Sequence, residues 1–322
     1  MAEVNGSNIL VTGATGLIGS ALVEALLKET DCHVYAACRN LSTAQQRLGR
    51  LLSNPRLHLL SHDVTRPLVG DTVYDYIIHA ASPASPASFT SQPVEVMMAN
   101  LLGVKHLLDY GLSHHMKRLL FVSSGEIYGE GDGTPFVETD SGYIDCNSPR
   151  ACYPSSKRAA ETLCASYVAE HQADVVIARL CHTYGPGFTE TDNRVYAQFL
   201  RNVLRGEDIV LKSSGMQMRS WIYVADAVSA ILQILWKGEK GQAYNVANPD
   251  SCITIRQLAE LVASLAHRQV KFDISQDSAQ GNTTPISCAT FSIEKLQRLG
   301  WQPQYSMEEG LRQTMATLTG NN

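Results

Sequence analysis

A chain of 322 residues has room for two domains, or for one large α/β unit with an appended lobe. Its residues are 44% hydrophobic and 18% charged, enough for a sizeable core, and no apolar run approaches the ~20 residues of a membrane span. A net charge of −5 without a basic cluster argues against nucleic acid as the main partner, and eight cysteines without metal-like spacing favour packed, reduced thiols over a disulfide framework or zinc site. Packed thiols, and the lack of a charged-then-apolar leader, set the expectation of a reducing, cytoplasmic location.

Met1 to Ser7 is polar and expected to fray. Asn8 to Ser20 then reads as a buried strand, a glycine turn and the first turn of a helix running to about Glu29. Gly13 ends the strand, Gly16 lets a pyrophosphate approach the backbone, and Gly19 lets the helix pack on the sheet. The turn, Gly13, Thr15, Gly16, Leu17, Ile18 and Gly19, would hold the phosphates of a dinucleotide at a helix N-terminus.

His33–Cys38 is the second strand. Where NAD sites place an acidic residue for the adenosine ribose, this chain has Arg39 and Asn40, and a guanidinium there suits the 2′-phosphate of NADP. A stacked or solvated arginine is the alternative. Leu57–Leu60 is the third strand, and Asp63 and Val64 at its end are placed to meet the adenine. Val73–His79 is the fourth, with Ala80, Ala81 and Ser82 as a small-residue turn. Pro83 to Ser88 reads as an extended loop, followed by a helix over Val94–His114. Lys117–Ser123 delivers Ser124, Gly125 and Glu126 to the carboxyl end of the sheet, and Val175–Leu180 is a further strand, with Leu180 at its cofactor end.

This strand–helix alternation predicts an α/β, Rossmann-type, doubly wound parallel sheet over residues 1–180. Beyond it lie shorter elements: helices near Arg194–Arg205, Ala225–Trp236 and Thr254–Ala266, strands near Ile209 and Trp221, and tail helices over Ile293–Leu299 and Met307–Leu318. Residues 181–322 are expected to form mainly a smaller substrate lobe, with some segments returning to the sheet.

Tyr153 and Lys157 are four apart and share a helix face. A free tyrosine titrates near ~10, too high for a base at neutral pH, and a neighbouring ammonium favours the phenolate. Lys157 can also hold the nicotinamide ribose, and Ser124 can hydrogen-bond the reacting oxygen.

With the glycine turn, these residues resemble the extended short-chain dehydrogenase/reductase family of nucleotide-sugar epimerases, dehydratases, decarboxylases and reductases, over nearly the whole chain. Ala81–Pro86, Gly125–Gly129, Pro149–Tyr153, Asn193–Val195, Gln217–Arg219 and Asn245–Pro249 are most similar to UDP-glucuronate decarboxylases. The resemblance implies that Tyr153 takes the sugar 4-hydroxyl proton with Ser124 and Lys157 assisting, and that Glu126 stands beside C5 and C6. It further implies that Pro83, Ser85, His182, Arg194 and Arg219 contact a UDP-linked sugar, and that the enzyme is a homodimer. Leu101, Val104, Leu108, Leu163 and Tyr167 would then serve core and interface alike. It favours a recycled NAD, against the NADP that Arg39 suggests.

Three departures stand out. Gly125 replaces the Asp of dehydratases and the Ser of most decarboxylases, His182 replaces an asparagine, and Thr283–Thr284–Pro285 lacks an arginine that grips the nucleotide. The expected reaction oxidises sugar C4 to a ketone, ending in decarboxylation of a UDP-hexuronate or in epimerisation. A 4-keto-sugar reductase, a 4,6-dehydratase or a non-catalytic dinucleotide-binding regulator are the alternatives.

Overall fold

The computed structural model describes residues 6–189, 192–274 and 288–320. Along the chain run β1 (Asn8–Thr12), α1 (Leu17–Glu29), β2 (His33–Cys38), α2 (Leu41–Arg47), β3 (Leu57–Ser61) and β4 (Tyr76–His79). There follow α3 (Pro86–Ser91), α4 (Pro93–Ser113), β5 (Arg118–Ser124), α5 (Cys152–His171), β6 (Val175–Leu180) and β7 (His182–Tyr184). The remainder comprises α6 (Val195–Leu204), β8 (Ile209–Leu211), β9 (Met218–Tyr223), α7 (Val224–Lys237), β10 (Ala243–Val246) and β11 (Asn248–Thr254). Last come α8 (Ile255–Leu265), β12 (Val270–Phe272), β13 (Cys288–Ala289), α9 (Glu294–Arg298) and α10 (Met307–Thr319).

Seven strands form one sheet in the order β10-β6-β5-β4-β1-β2-β3, and every pairing is parallel. Side chains alternate across a strand, so neighbouring residues feed opposite layers. Ile9, Val11, Ile78, Leu120 and Val176 pack with Leu22, Val23 and Ala227 of α1 and α7. Leu10, Ile77, Leu119, Phe121 and Ile177 pack with Val104, Leu108 and Ala160 of α4 and α5. This two-sided burial explains why the strands read as continuous apolar runs.

The strand order reverses direction at β1, with β2 and β3 on one side and β4 onward on the other. Open α/β sheets place their ligand crevice at such a switch point. A smaller sheet, β11-β9-β13 with β7 on β9, lies beyond it, and β8 and β12 form a separate pair. β10 comes late in the sequence yet closes the edge of the main sheet beside β6.

Two local readings need correction. The proline-rich segment is not wholly extended: α3 starts at Pro86, which occupies the first turn, and the Ser85 side chain accepts from Ser88 N to cap it. Proline is compatible with that position because the first-turn N–H has no intrahelical partner. Nor is Ser7 frayed; it is buried, and its carbonyl accepts from His33 N at 2.9 Å.

Candidate active site

The β1–α1 turn is shaped by contact with the next strand across the switch point. Gly13 has φ of +70°, and a Cβ there would lie 2.8 Å from the Ala80 carbonyl carbon. A Cβ on Gly19 would lie 2.1 Å from the Gly13 carbonyl oxygen. Only glycine satisfies both positions. Thr12 Oγ1 is hydrogen-bonded to His79 Nδ1 at 2.8 Å and accepts from Ala81 N, which ties the two strand ends together. Burial brings the His79 imidazole down to about 3, so it stays neutral.

Helix α1 begins at Leu17 after Gly16, and no side chain caps it. Its first N–H groups therefore remain available to an anion. Ser82 Oγ, on the facing turn, is buried without a partner among the described residues. An uncapped helix start, a cradle open only to glycine and an orphaned hydroxyl fit a dinucleotide. Thr15, Ile18 and Ala81 belong to the same two turns.

At the adenosine end, Arg39 is exposed and lies close enough to Asp63 for its charge to act on that carboxylate. The Thr65 backbone amide, with smaller help from its hydroxyl and from Arg39, holds Asp63 below the usual carboxylate range. Asn40 caps α2 by accepting from Thr43 N, so its Oδ1 is already engaged. Val64 is buried, and its carbonyl is hydrogen-bonded to His106.

Tyr153 and Lys157 lie on α5, with Nζ 5.8 Å from the phenol ring centroid. Lys157 Nζ donates to Val122 O on β5 at 2.8 Å and sits over the Phe121 ring. Burial brings the ammonium down to about 7, partly offset by the Glu161 carboxylate. The Tyr153 phenol is pushed up by burial and then by Glu126, while a hydrogen bond with Ser124 pulls the other way. Ser124 is the last residue of β5, and its Oγ accepts from Glu126 N at 3.2 Å. Leu180 of β6 is in register with Ser124. The phenol, ammonium and hydroxyl thus meet at the carboxyl edge of the sheet.

Glu126 is held by Arg150, whose Nη2 donates to both carboxylate oxygens at 3.0 and 2.9 Å. The same guanidinium lies 4.7 Å over the Phe89 ring, and Phe89 stacks on Tyr153 at 4.6 Å between centroids. Sequence reading gave Arg150 and Phe89 no role, because they come from different segments and only the fold joins them. Gly125 has a steric reason: a Cβ there would lie 2.3 Å from Cζ of Phe291.

The remaining candidates come from the smaller sheet, the start of α6 and the loop before α3. His182 of β7 is in register with Trp221 of β9, and their rings lie 5.2 Å apart. Burial, then Arg219 and Arg194, bring the His182 imidazole down to about 3. Its Nδ1 and Trp221 Nε1 are both buried without partners among the described residues. Arg219 is 4% exposed, and its charge interacts with Glu126. Arg194 is engaged by Asp192 through Nε at 2.9 Å and by the Tyr196 hydroxyl at 3.0 Å. Ser85 is engaged in its helix cap, and Pro83 lies on the loop before it. Thr283–Thr284–Pro285 falls outside the described residues.

A parallel sheet with a glycine turn at its switch point, and a Ser–Tyr–Lys cluster at its carboxyl edge, defines a dinucleotide-dependent enzyme that oxidises or reduces a carbon bearing oxygen. The model of the NAD dependent epimerase/dehydratase family matches residues 9–247, and the chain belongs to that family. UDP-glucuronic acid decarboxylase 6 of Arabidopsis thaliana is 34% identical over 307 residues, covering 94% of this chain and 86% of the relative. UDP-glucuronic acid decarboxylase 1 of Danio rerio is 32% identical over 320 residues, covering 98% of this chain and 73% of the relative. Among solved structures, a UDP-N-acetylglucosamine 4-epimerase from Methanobrevibacter ruminantium M1 superposes with a TM-score of 0.85 at 24% identity, covering 99% of this chain and all of that one. That likeness bears on the fold.

Proposed function

We propose that this enzyme oxidises C4 of a UDP-linked hexuronate and releases the C6 carboxylate as CO₂, with C4/C5 epimerisation as the second outcome of the same intermediate. The observation that carries the reading is the meeting of Ser124, Tyr153 and Lys157 with Glu126 and Arg219, in a chain similar along its length to UDP-glucuronic acid decarboxylases. A bound nicotinamide would supply the acceptor and later the donor of the C4 hydride. Tyr153 takes the 4-hydroxyl proton, and Ser124 holds the same oxygen. Lys157 supplies positive charge beside the phenolate and a donor for the nicotinamide ribose. A C4 ketone is β to the C6 carboxylate, so the C5–C6 bond electrons pass into an enolate when CO₂ leaves. Glu126 stands beside C5 to move the proton there, and Arg219 binds the substrate's carboxylate or phosphate.

His182 is neutral and unpartnered at Nδ1, which suits contact with an uncharged sugar oxygen. We propose NAD as the cofactor, because Asp63 lies beside Arg39 and an anionic 2′-phosphate would meet both charges. All eight cysteines are free and five are buried, which suits a cytoplasmic setting. We also propose a homodimer through the outer faces of α4 and α5. Val104 and Leu108 are fully buried inside the subunit, so exposed Val94 and Met98 are better placed for that contact.

The test is incubation of the protein with NAD⁺ and UDP-glucuronate, following product mass and nicotinamide absorbance. Loss of CO₂ supports decarboxylation, and unchanged mass with a new retention time supports epimerisation. A gain of two hydrogens from a 4-keto-sugar and NADPH would point to a reductase. No turnover of any nucleotide sugar would favour a regulator. Light scattering at micromolar concentration checks the dimer.

A further inference from the structure

Arg47, the last residue of α2, is buried at Nε and Nη2, and neither atom has a hydrogen-bond partner among the described residues. Three other guanidiniums that are largely buried have carboxylate partners: Arg150 with Glu126, Arg179 with Glu161 and Arg194 with Asp192. Among the described residues the Tyr196 hydroxyl is the titratable group whose charge acts on Arg47, and burial lowers the affinity of the guanidinium for its own proton. A desolvated cation without a counter-charge is costly to the unliganded fold.

Its location says what would neutralise it. A Cβ built on Gly187 would lie 3.4 Å from Arg47 Nη2, and 3.0 and 3.6 Å from Leu17 Cδ1 and Cα. Leu17 is the first residue of α1, the uncapped helix that follows the glycine turn. The guanidinium and the first residue of α1 therefore flank Gly187 together.

We propose that Arg47 is a cofactor-binding residue whose guanidinium pairs with the dinucleotide pyrophosphate at the start of α1. The assignment rests on the dinucleotide reading of the glycine turn. It gives the pyrophosphate a charged ligand from α2, opposite the backbone amides of α1. Charge-assisted, forked hydrogen bonding to phosphate is the interaction a guanidinium makes best. Arg39 lies eight positions earlier, on the adenosine side, so the two arginines address different parts of the same ligand.

The experiment is calorimetric titration of the cofactor-stripped full chain, as wild type, Arg47→Gln and Arg47→Lys, with NAD⁺, NADP⁺, ADP-ribose, adenosine and UDP. Arg47→Gln should weaken NAD⁺, NADP⁺ and ADP-ribose by one common factor, about tenfold or more, and leave adenosine and UDP unchanged. Arg47→Lys keeps the charge without the fork and should show a smaller common loss. Unliganded Arg47→Gln should melt no lower than wild type, because a cost has been removed from that state. A loss confined to NADP⁺ would make Arg47 a 2′-phosphate reader and overturn the assignment. So would a loss for UDP, which would place it on the substrate diphosphate, or unchanged dinucleotide affinity with a lower melting temperature, which would make it a packing residue. Wild-type chain that binds no dinucleotide would overturn the cofactor reading itself, and this one with it.

Discussion

Replacing Gly125 by alanine places one methyl group between the two functional residues Ser124 and Glu126. Its carbon would lie 2.3 Å from Cζ and 2.6 Å from Cε1 of Phe291, whereas carbons in contact sit at roughly 3.5–4.0 Å. The ring must retreat by more than about 1 Å. It is 5% exposed and has Tyr128 and Phe136 against it, with centroids 5.8 and 6.0 Å away. Overpacking of this kind costs about 1–3 kcal/mol. Phe291→Ala alone should cost about 3–5 kcal/mol through lost burial and the cavity left behind. In that background the added methyl has space, and Gly125→Ala should become neutral or stabilising by a few tenths of a kcal/mol. The coupling energy between the two changes is then about 1–3 kcal/mol. Urea denaturation of the wild type, both single variants and the double variant measures it. Turnover provides a second readout, since a displaced turn moves Ser124 and Glu126 together. A Gly125→Ala protein as stable as wild type would refute the steric account, as would an unchanged cost in the Phe291→Ala background.

Tyr153→Phe should abolish turnover while dinucleotide affinity, read by calorimetry, changes by less than about threefold. Lys157 is held near 7 when folded and titrates near ~10.4 when unfolded, so between those values the unfolded chain binds more protons and stability rises with pH. Lys157→Met should therefore gain most over wild type below pH 7 and lose that advantage towards pH ~10, as thermal melts of unliganded protein would show; a pH-independent difference would count against the buried ammonium. Glu126 and Arg150 form one unit, so Arg150→Met should lower kcat by at least tenfold, and adding Glu126→Gln should cost little more in the double variant. Arg39→Ala should weaken NAD⁺ and NADP⁺ about equally if the arginine only stacks on adenine, whereas a loss of ~1–3 kcal/mol for NADP⁺ alone would reverse the cofactor assignment.

What the sequence made legible was local. The glycine turn, the buried strands and the Tyr153–Lys157 spacing each depend on residues within a few positions of one another. The strands stood out because both faces of a parallel sheet are covered and their central residues are mostly apolar. The start of α3 was hidden because Pro86 signals an extended chain unless it falls in a first turn with Ser85 as cap. The support of the site was hidden for a different reason. Arg150 reaches Glu126 across 24 positions, Phe291 reaches Gly125 from beyond β13, and Arg47 and Leu17 both flank Gly187. No periodicity records those meetings. Arg194 shows the reverse case. Its carboxylate partner, Asp192, is two residues away, a local ion pair that sequence position left indistinguishable from a solvated or substrate-facing arginine.

The Gly125–Phe291 contact also bears on which reaction a C4 ketone undergoes in this cleft. Eliminating water across C5 and C6 requires a proton donor for the departing 6-hydroxyl as well as a base at C5. Family dehydratases resemble one another in pairing Asp with Glu for that purpose. Here the aspartate's place holds no side chain, and an aromatic ring fills the space a side chain would take. Glu126 remains, clamped by Arg150, with Arg219 near enough to feel its charge. In the proposed reaction this one carboxylate, with two guanidiniums near it, is the group that would move a proton at C5. Loss of CO₂ from a β-keto acid needs no acid at C6, because the leaving group departs without a proton. The Phe291 ring excludes any side chain at position 125, the serine of most decarboxylases as well as the acid that elimination would add, so the proposed decarboxylation or epimerisation rests on Glu126 alone.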